Sequence, residues 1–290
     1  MSTVVLLTAT GLGLAALYFL VASGLSLIFG LMDVLDFAHG AFVAIGGYVA
    51  WTVASHLAGT VGLLLAALAA IAAGAAVAAA TELAIIRPLY ARPLDQVLAT
   101  VGLGLAIPAL LQAIWGADPR PWPALPDGLS GTVGLLGARI PADRLLLIGA
   151  AAALLAALRL PLTRTRAGLV VRAGVEDRDM VAALGVDVGK AFTGVFALGG
   201  AAAGLAGALD GVYQGSMSPG DGTSLLVFAF VVVVLGRTGS LAGTAAASVA
   251  VGLVQQFANY VSPNLGDESV VILLAAVLLL RRRDLKGRPA

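Results

Sequence analysis

The chain has 290 residues, of which 60% are hydrophobic and only 11% charged, and its mean hydropathy is +1.00. A soluble domain carries roughly 25% charged residues, so too few polar side chains are present to cover a water-facing surface, and the apolar stretches read as membrane spans. A formal net charge of +1 provides no basic patch for nucleic acid, the absence of cysteine excludes disulfides and thiolate chemistry, and two histidines, His39 and His56, are too few for a histidine metal cage.

Apolar windows fall at about 4–29, 37–57, 61–86, 96–116, 144–160, 191–213, 224–236, 240–258 and 268–280. Residues 1–29 hold no Lys or Arg, and the first run is longer than the apolar core of a secretory signal, so it reads as a mature first span. It contains Gly11, Gly13 and Gly24, at which it is expected to tilt or break. A bilayer core of ~30 Å needs about 20 helical residues, which most windows supply. The window 224–236 is too short at ~1.5 Å per residue and reads as a half-helix. The predicted fold is all-α: one polytopic membrane bundle over residues 1–290, with eight or nine spans and at least one short or broken helix.

Orientation follows from the basic residues. With the tail that carries Arg281, Arg282, Arg283, Lys286 and Arg288 in the cytoplasm, alternation places fourteen basic residues inside. Three, Arg120, Arg139 and Arg144, fall outside, which fits the positive-inside rule. The same parity puts the N-terminus outside. The outer segment 117–143 is rich in Pro and Gly and reads as an external cap. The inner segment 161–190 is densely charged with apolar residues at helical spacing, and a helix of two or three turns is expected from about Val171 to Leu184, stopped by Gly185.

Three groups of residues stand out. Asp33, Asp36 and His39 sit between two apolar windows, where charge is costly unless water or a partner reaches it. They read either as part of a substrate gate or as a solvated turn with Asp36 capping the next helix. Gly200, Gly204, Gly207 and Gly211 repeat a small-xxx-small spacing that lets helix backbones approach, a packing face and not a site, with Asp210 beside it as the exception. Glu82, Thr100, Gln112 and Gln255 are polar groups inside windows; Glu82 is expected to pair with Arg87 one turn away. The run Gly185-Val186-Asp187-Val188-Gly189-Lys190-Ala191 only superficially resembles a phosphate loop. It has three residues between the glycines where four are required, and Ala191 in place of Ser or Thr. With no phosphate loop, no paired nucleophile and base and no clustered metal ligands, no catalysis, cofactor or metal is expected of this chain.

Taken together, these stretches resemble the bacterial branched-chain amino-acid ABC transporter permeases. The segment Asp36-Phe37-Ala38-His39-Gly40-Ala41-Phe42 is similar to their N-F-A-H-G-x-F hallmark, with Asp36 where the family has Asn. Further matches are Arg87-Pro88-Leu89 with Leu98 to Leu103 and Gln112, then Thr165, Gly168, Arg172-Ala173, Asp177-Arg178, Ala182 and Leu184-Gly185, then Val234-Leu235-Gly236 with Gly239 to Gly243. The matches run in order over nearly the whole chain. The second and third are shared with the paired permease of the same transporter, so the choice between the two subunits rests on the first. The family also takes in urea and short-amide permeases, and a self-contained secondary carrier is the alternative of another class.

The resemblance implies a multi-pass subunit of the bacterial inner membrane that surrounds the substrate pathway and pairs with a homologous permease. Two cytoplasmic ATP-binding subunits and a periplasmic binding protein are the implied partners, alongside membrane lipid, with ATP hydrolysis on the partners. Contact with the ATPases is expected in the inner segment at Arg172, Glu176, Asp177, Arg178, Leu184 and Gly185. The pathway is expected to pass near Asp36, His39, Thr100 and Gln112, because weak, mostly neutral polar partners allow release.

Overall fold

The computed structural model describes residues 2–135, 137–164, 168, 188–263 and 265–286. The expected coupling residues Arg172, Glu176, Asp177, Arg178, Leu184 and Gly185 lie outside the described residues. Long helices dominate, as a chain without water to satisfy its backbone requires. They are α1 (Ser2–Met32), α2 (His39–His56), α3 (Gly59–Thr81), α4 (Pro93–Trp115), α5 (Ala142–Arg164), α6 (Val188–Gln214), α7 (Asp221–Gly236), α8 (Leu241–Val261) and α9 (Leu265–Lys286). Helix α3 runs on through a π-helical stretch, Glu82–Ile86, and a 3-10 turn, Arg87–Leu89. Among the described residues five segments are long and apolar enough to cross a membrane: Ser2–Met32, Gly59–Leu89, Pro93–Trp115, Gly189–Gln214 and Leu241–Val261; Asp221–Gly236 is a shorter apolar helix.

Helix α1 is the axis of the bundle. It packs against α5, α6, α7 and α8 and is buried almost continuously from Gly13 to Ile28. A helix apolar all round is stable only when surrounded. The expectation that α1 breaks at its glycines is not met: it is one helix of 31 residues. Its glycines serve close crossing, and a Cβ on Gly24 would stand 2.5 Å from the Gly199 carbonyl oxygen of α6. Helix α2 is enclosed by α3, α4, α6 and α7. By contrast α4 keeps only Gln96, Thr100 and Leu111 buried, and turns Leu94, Leu98 and Leu105 outward, as a lipid-facing helix does.

At one end of the bundle the 117–143 segment forms a cap. Strand β1 (Arg120–Pro121) pairs antiparallel with β4 (Ser216–Met217), and β2 (Thr132–Leu135) forms a hairpin with β3 (Ala138–Pro141). Trp122 lies against the clusters around Tyr48 and Ala208. At the opposite end α1 stops at Asp33, whose φ of 54° is the left-handed conformation of a helix terminus.

Candidate functional site

The chain leaves α1 at Asp33, which is exposed, and enters α2 at His39, and two ionisable side chains are shut away between them. Asp36 and His39 are both fully buried. One Asp36 oxygen accepts the Ala38 N–H at 3.0 Å, and the other stands 3.5 Å from His39 Nδ1. His39 Nε2 lies 3.2 Å from the Val21 carbonyl in the middle of α1, so the ring bridges two helices. Gly24 leaves room for it: a Cβ there would meet His39 Cε1 at 2.9 Å. Thr100, also buried, donates to the Val97 carbonyl at 3.0 Å and lies 3.3 Å from the Leu35 carbonyl, tying α4 to the same junction. Three of the four expected pathway residues therefore meet. Gln112 does not join them: it sits about 18 Å further along α4 at 1.5 Å per residue, exposed on its outer side.

The four glycines of the small-xxx-small face of α6 divide between neighbours. Gly200 and Gly204 face Gly74, Ala70 and Ala78 of α3, Gly207 faces Val43 and Gly47 of α2, and Gly211 faces Trp122 and Met217. A side chain at any of the four would collide with a neighbour's backbone or ring. Glu82 departs from expectation. Among the described residues it makes no ion pair with Arg87, which points outward. Its carboxylate is fully buried and accepts the Tyr90 hydroxyl at 2.7 Å and the Thr193 hydroxyl of α6 at 2.6 Å.

A polar cavity of about 300 Å³ opens at the capped end between α1, α6, α7, α8 and α9. Its polar lining includes Tyr18, Tyr213, Asp221, Ser224, Gln255 and Asp267. A relay crosses it: the Tyr18 hydroxyl donates to Gln255 Oε1 at 2.5 Å, and Gln255 Nε2 donates to Asp267 at 2.8 Å. Tyr18 stacks on Phe228 with ring centroids 5.1 Å apart. Asp221, in the first turn of α7, accepts the Ser218 N–H at 2.6 Å and closes the turn that leads into the helix. Arg144 lies over the Tyr213 ring at 3.4 Å and is turned toward Asp143, at 3.4 Å. Asp210, one turn before Tyr213 on α6, is fully buried, and neither carboxylate oxygen has a hydrogen-bond partner among the described residues.

Sequence reasoning singled out Asp210 and Gln255 but not this cavity. Its walls come from five helices, and each contributes one to three polar residues to an apolar run. The usable signal is that Tyr18, Asp210 and Gln255 are isolated polar groups within otherwise apolar or small-residue runs.

The family described as the permease component of the branched-chain amino acid transport system matches residues 7–281. The chain is similar to the high-affinity branched-chain amino acid transport system permease protein BraD of Pseudomonas aeruginosa. The two are 29% identical over 290 residues, which cover 96% of this chain and 94% of that one. It is 27% identical over 289 residues to the corresponding permease protein LivH of Salmonella typhimurium and to LivH of Escherichia coli K12, with the same coverage. No solved structure matches.

Proposed function

The chain belongs to the permease family of branched-chain amino acid transport systems, and from this we propose that it is the membrane-spanning subunit of an ATP-driven importer for branched-chain or related amino acids. The observation that carries the reading is a family match over nearly the whole chain, on a lipid-compatible bundle with a polar cavity at one end. In this reading the bundle is a single unit of eight or nine spans in a bacterial inner membrane, with the N-terminus outside and the 161–190 segment and C-terminus in the cytoplasm. The capped end then faces the binding protein.

Substrate enters the cavity at the capped end and leaves past the junction of Asp36, His39 and Thr100. In this reading the three form a closure that must open for passage. Gln112, on the outer side of α4, lies on this route only if α4 turns during transport. A homologous permease completes the pathway, and two ATP-binding subunits supply the free energy through Arg172, Glu176, Asp177, Arg178, Leu184 and Gly185. Closure of the ATPases biases the permease only by contacting this segment differently in the two states.

The test is reconstitution. With its partners, binding protein and ATP inside the liposome, the chain is expected to accumulate leucine against a gradient. Without the ATPases it is expected neither to hydrolyse ATP nor to concentrate substrate. Accumulation driven by an ion gradient in ATPase-free liposomes would move the assignment to a secondary carrier, and uptake of urea or acetamide with no uptake of leucine would move it to the amide branch of the family.

A further inference from the structure

We propose that the seam between α5 and α8, floored by α1, holds one anionic phospholipid, its headgroup at Arg159 and an acyl chain laid toward the middle of the bundle. The proposal rests on the orientation given above, in which the end opposite the cap faces the cytoplasm. Helices α5 and α8 both pack on α1 without packing closely on each other, which leaves a groove between them. Two cavities lie along it. The first, of about 140 Å³, owes its room to short side chains: Ala15 and Ala16 of α1, Ala151 and Ala152 of α5, and Ala245 of α8. Among the described residues that line it only Ser248 is polar, and its hydroxyl already donates to the Thr244 carbonyl at 2.8 Å. A hollow without free donors or acceptors takes hydrocarbon in preference to water. Its rim is open, since Ala152 and Val249 are exposed.

The second cavity, of about 210 Å³, lies nearer the end opposite the cap. Leu155 lines the first, Arg159 and Thr163 the second, and the three follow one another a turn apart on the same face of α5. Leu145 to Leu158 carry no charge, so Arg159 is where α5 leaves the apolar layer. Arg159 is exposed and forms no ion pair among the described residues. Leu241 and Ala242, the first residues of α8, line this cavity too, and a helix N-terminus favours an anion. No Asp or Glu lines either cavity. The charge therefore suits a phosphate, and the hollow beside it suits the chain that the phosphate carries. Anionic lipids lie in the cytoplasmic leaflet, and basic pockets between spans on that side bind their headgroups. A transported substrate is the wrong occupant: Leu14, Leu17 and Tyr18 line the capped-end cavity, whereas Leu12, Ala16 and Phe19 reach this seam from the opposite face of α1.

The complete transporter is placed in nanodiscs of equal phosphatidylglycerol and phosphatidylcholine with matched acyl chains, then extracted, and the lipid that stays bound is counted by native mass spectrometry. One phosphatidylglycerol per copy of this subunit is expected to be retained in preference to phosphatidylcholine. Arg159→Gln is expected to lower that preference about fivefold, the worth of one cationic side chain near an anionic surface, and Arg159→Lys to recover most of it. Arg139→Gln, at the capped end, leaves it unchanged. Ala152→Phe fills the hollow and is expected to displace the lipid, whereas excess glycerol 3-phosphate, which has the charge but no chain, does not. Equal retention of the two lipids, or a preference indifferent to Arg159→Gln, overturns the proposal. Loss of the partner permease in Ala152→Phe also overturns it and makes the seam a subunit interface; displacement by glycerol 3-phosphate overturns it and makes Arg159 a site for free anions. If Ala152→Phe does not insert, the Arg159 variants, at an exposed position, still decide. Retained phosphatidylglycerol in a complex that accumulates no leucine would leave this inference standing and defeat the proposed function instead.

Discussion

Glu82 shows how a single residue can be located by sequence and misread in its partner. A carboxylate five residues before an arginine near a helix end reads as a local ion pair. Burial decided otherwise: Arg87 faces out, while Glu82 is shut inside and held by Tyr90 and Thr193. Hydrogen bonds to a charged group contribute about 1.5–3 kcal/mol each, and a partner stripped of its acceptor adds a penalty. Glu82→Ala is therefore expected to lower stability in detergent by about 2–4 kcal/mol. A double-mutant cycle between Tyr90→Phe and Thr193→Val checks the cause, since the two should couple only through Glu82. At the α1–α2 junction, Gly24→Ala drives a methyl group into the Gly199 carbonyl and the His39 ring. Overpacking of that kind costs about 1–3 kcal/mol, and the readout is a lower thermal midpoint, with Ser23→Ala as the comparison on the same turn.

Among the described residues the apolar windows anticipated each of the nine long helices to within six residues at either end, because in lipid a helix must be apolar over most of its length and its ends are marked by charge. Irregular elements were less legible. The hairpin of β2 and β3 has four residues per strand and no hydrophobic face long enough to show a period, so it was read only as a cap. Glycines were the other ambiguity, since the sequence does not say which of them touch. Gly204 is pressed on α3 and α2, whereas nothing lies within 4 Å of a Cβ on Gly102 of α4. Gly204→Leu is expected to abolish a monodisperse peak in size-exclusion chromatography, and Gly102→Leu to leave it intact. Equal behaviour of the two would mean that close approach of α6 to its neighbours does not hold the bundle together.

At the scale of the whole molecule, the site was only half legible. The hallmark segment holds Asp36 and His39, which local sequence brings together, and the second match holds Thr100, which α4 carries to the same junction. The cavity depends on how five helices meet, and no window shows that. If the pathway runs from cavity to junction, the two should differ in access to water. Ser224→Cys is expected to react with a water-soluble thiol reagent in the resting transporter, and Thr100→Cys only during turnover with ATP and binding protein. Thr100→Cys reacting equally in both conditions would show that the junction is not a closure.

The glycine face of α6 also sets a schedule for biogenesis. Gly74 of α3 packs against Gly200 and Gly204, and Gly47 of α2 against Gly207 and Met217, all of them made later in the chain. At about 5–20 residues per second, the ribosome adds the intervening stretches of roughly 125 and 160 residues in on the order of ten seconds. During that interval the first helices stand in the lipid with their small-residue grooves unfilled, exposed to wrong partners and to membrane proteases. The native bundle is reached by lateral docking of helices already inserted, and α6 is the element whose arrival ends the wait.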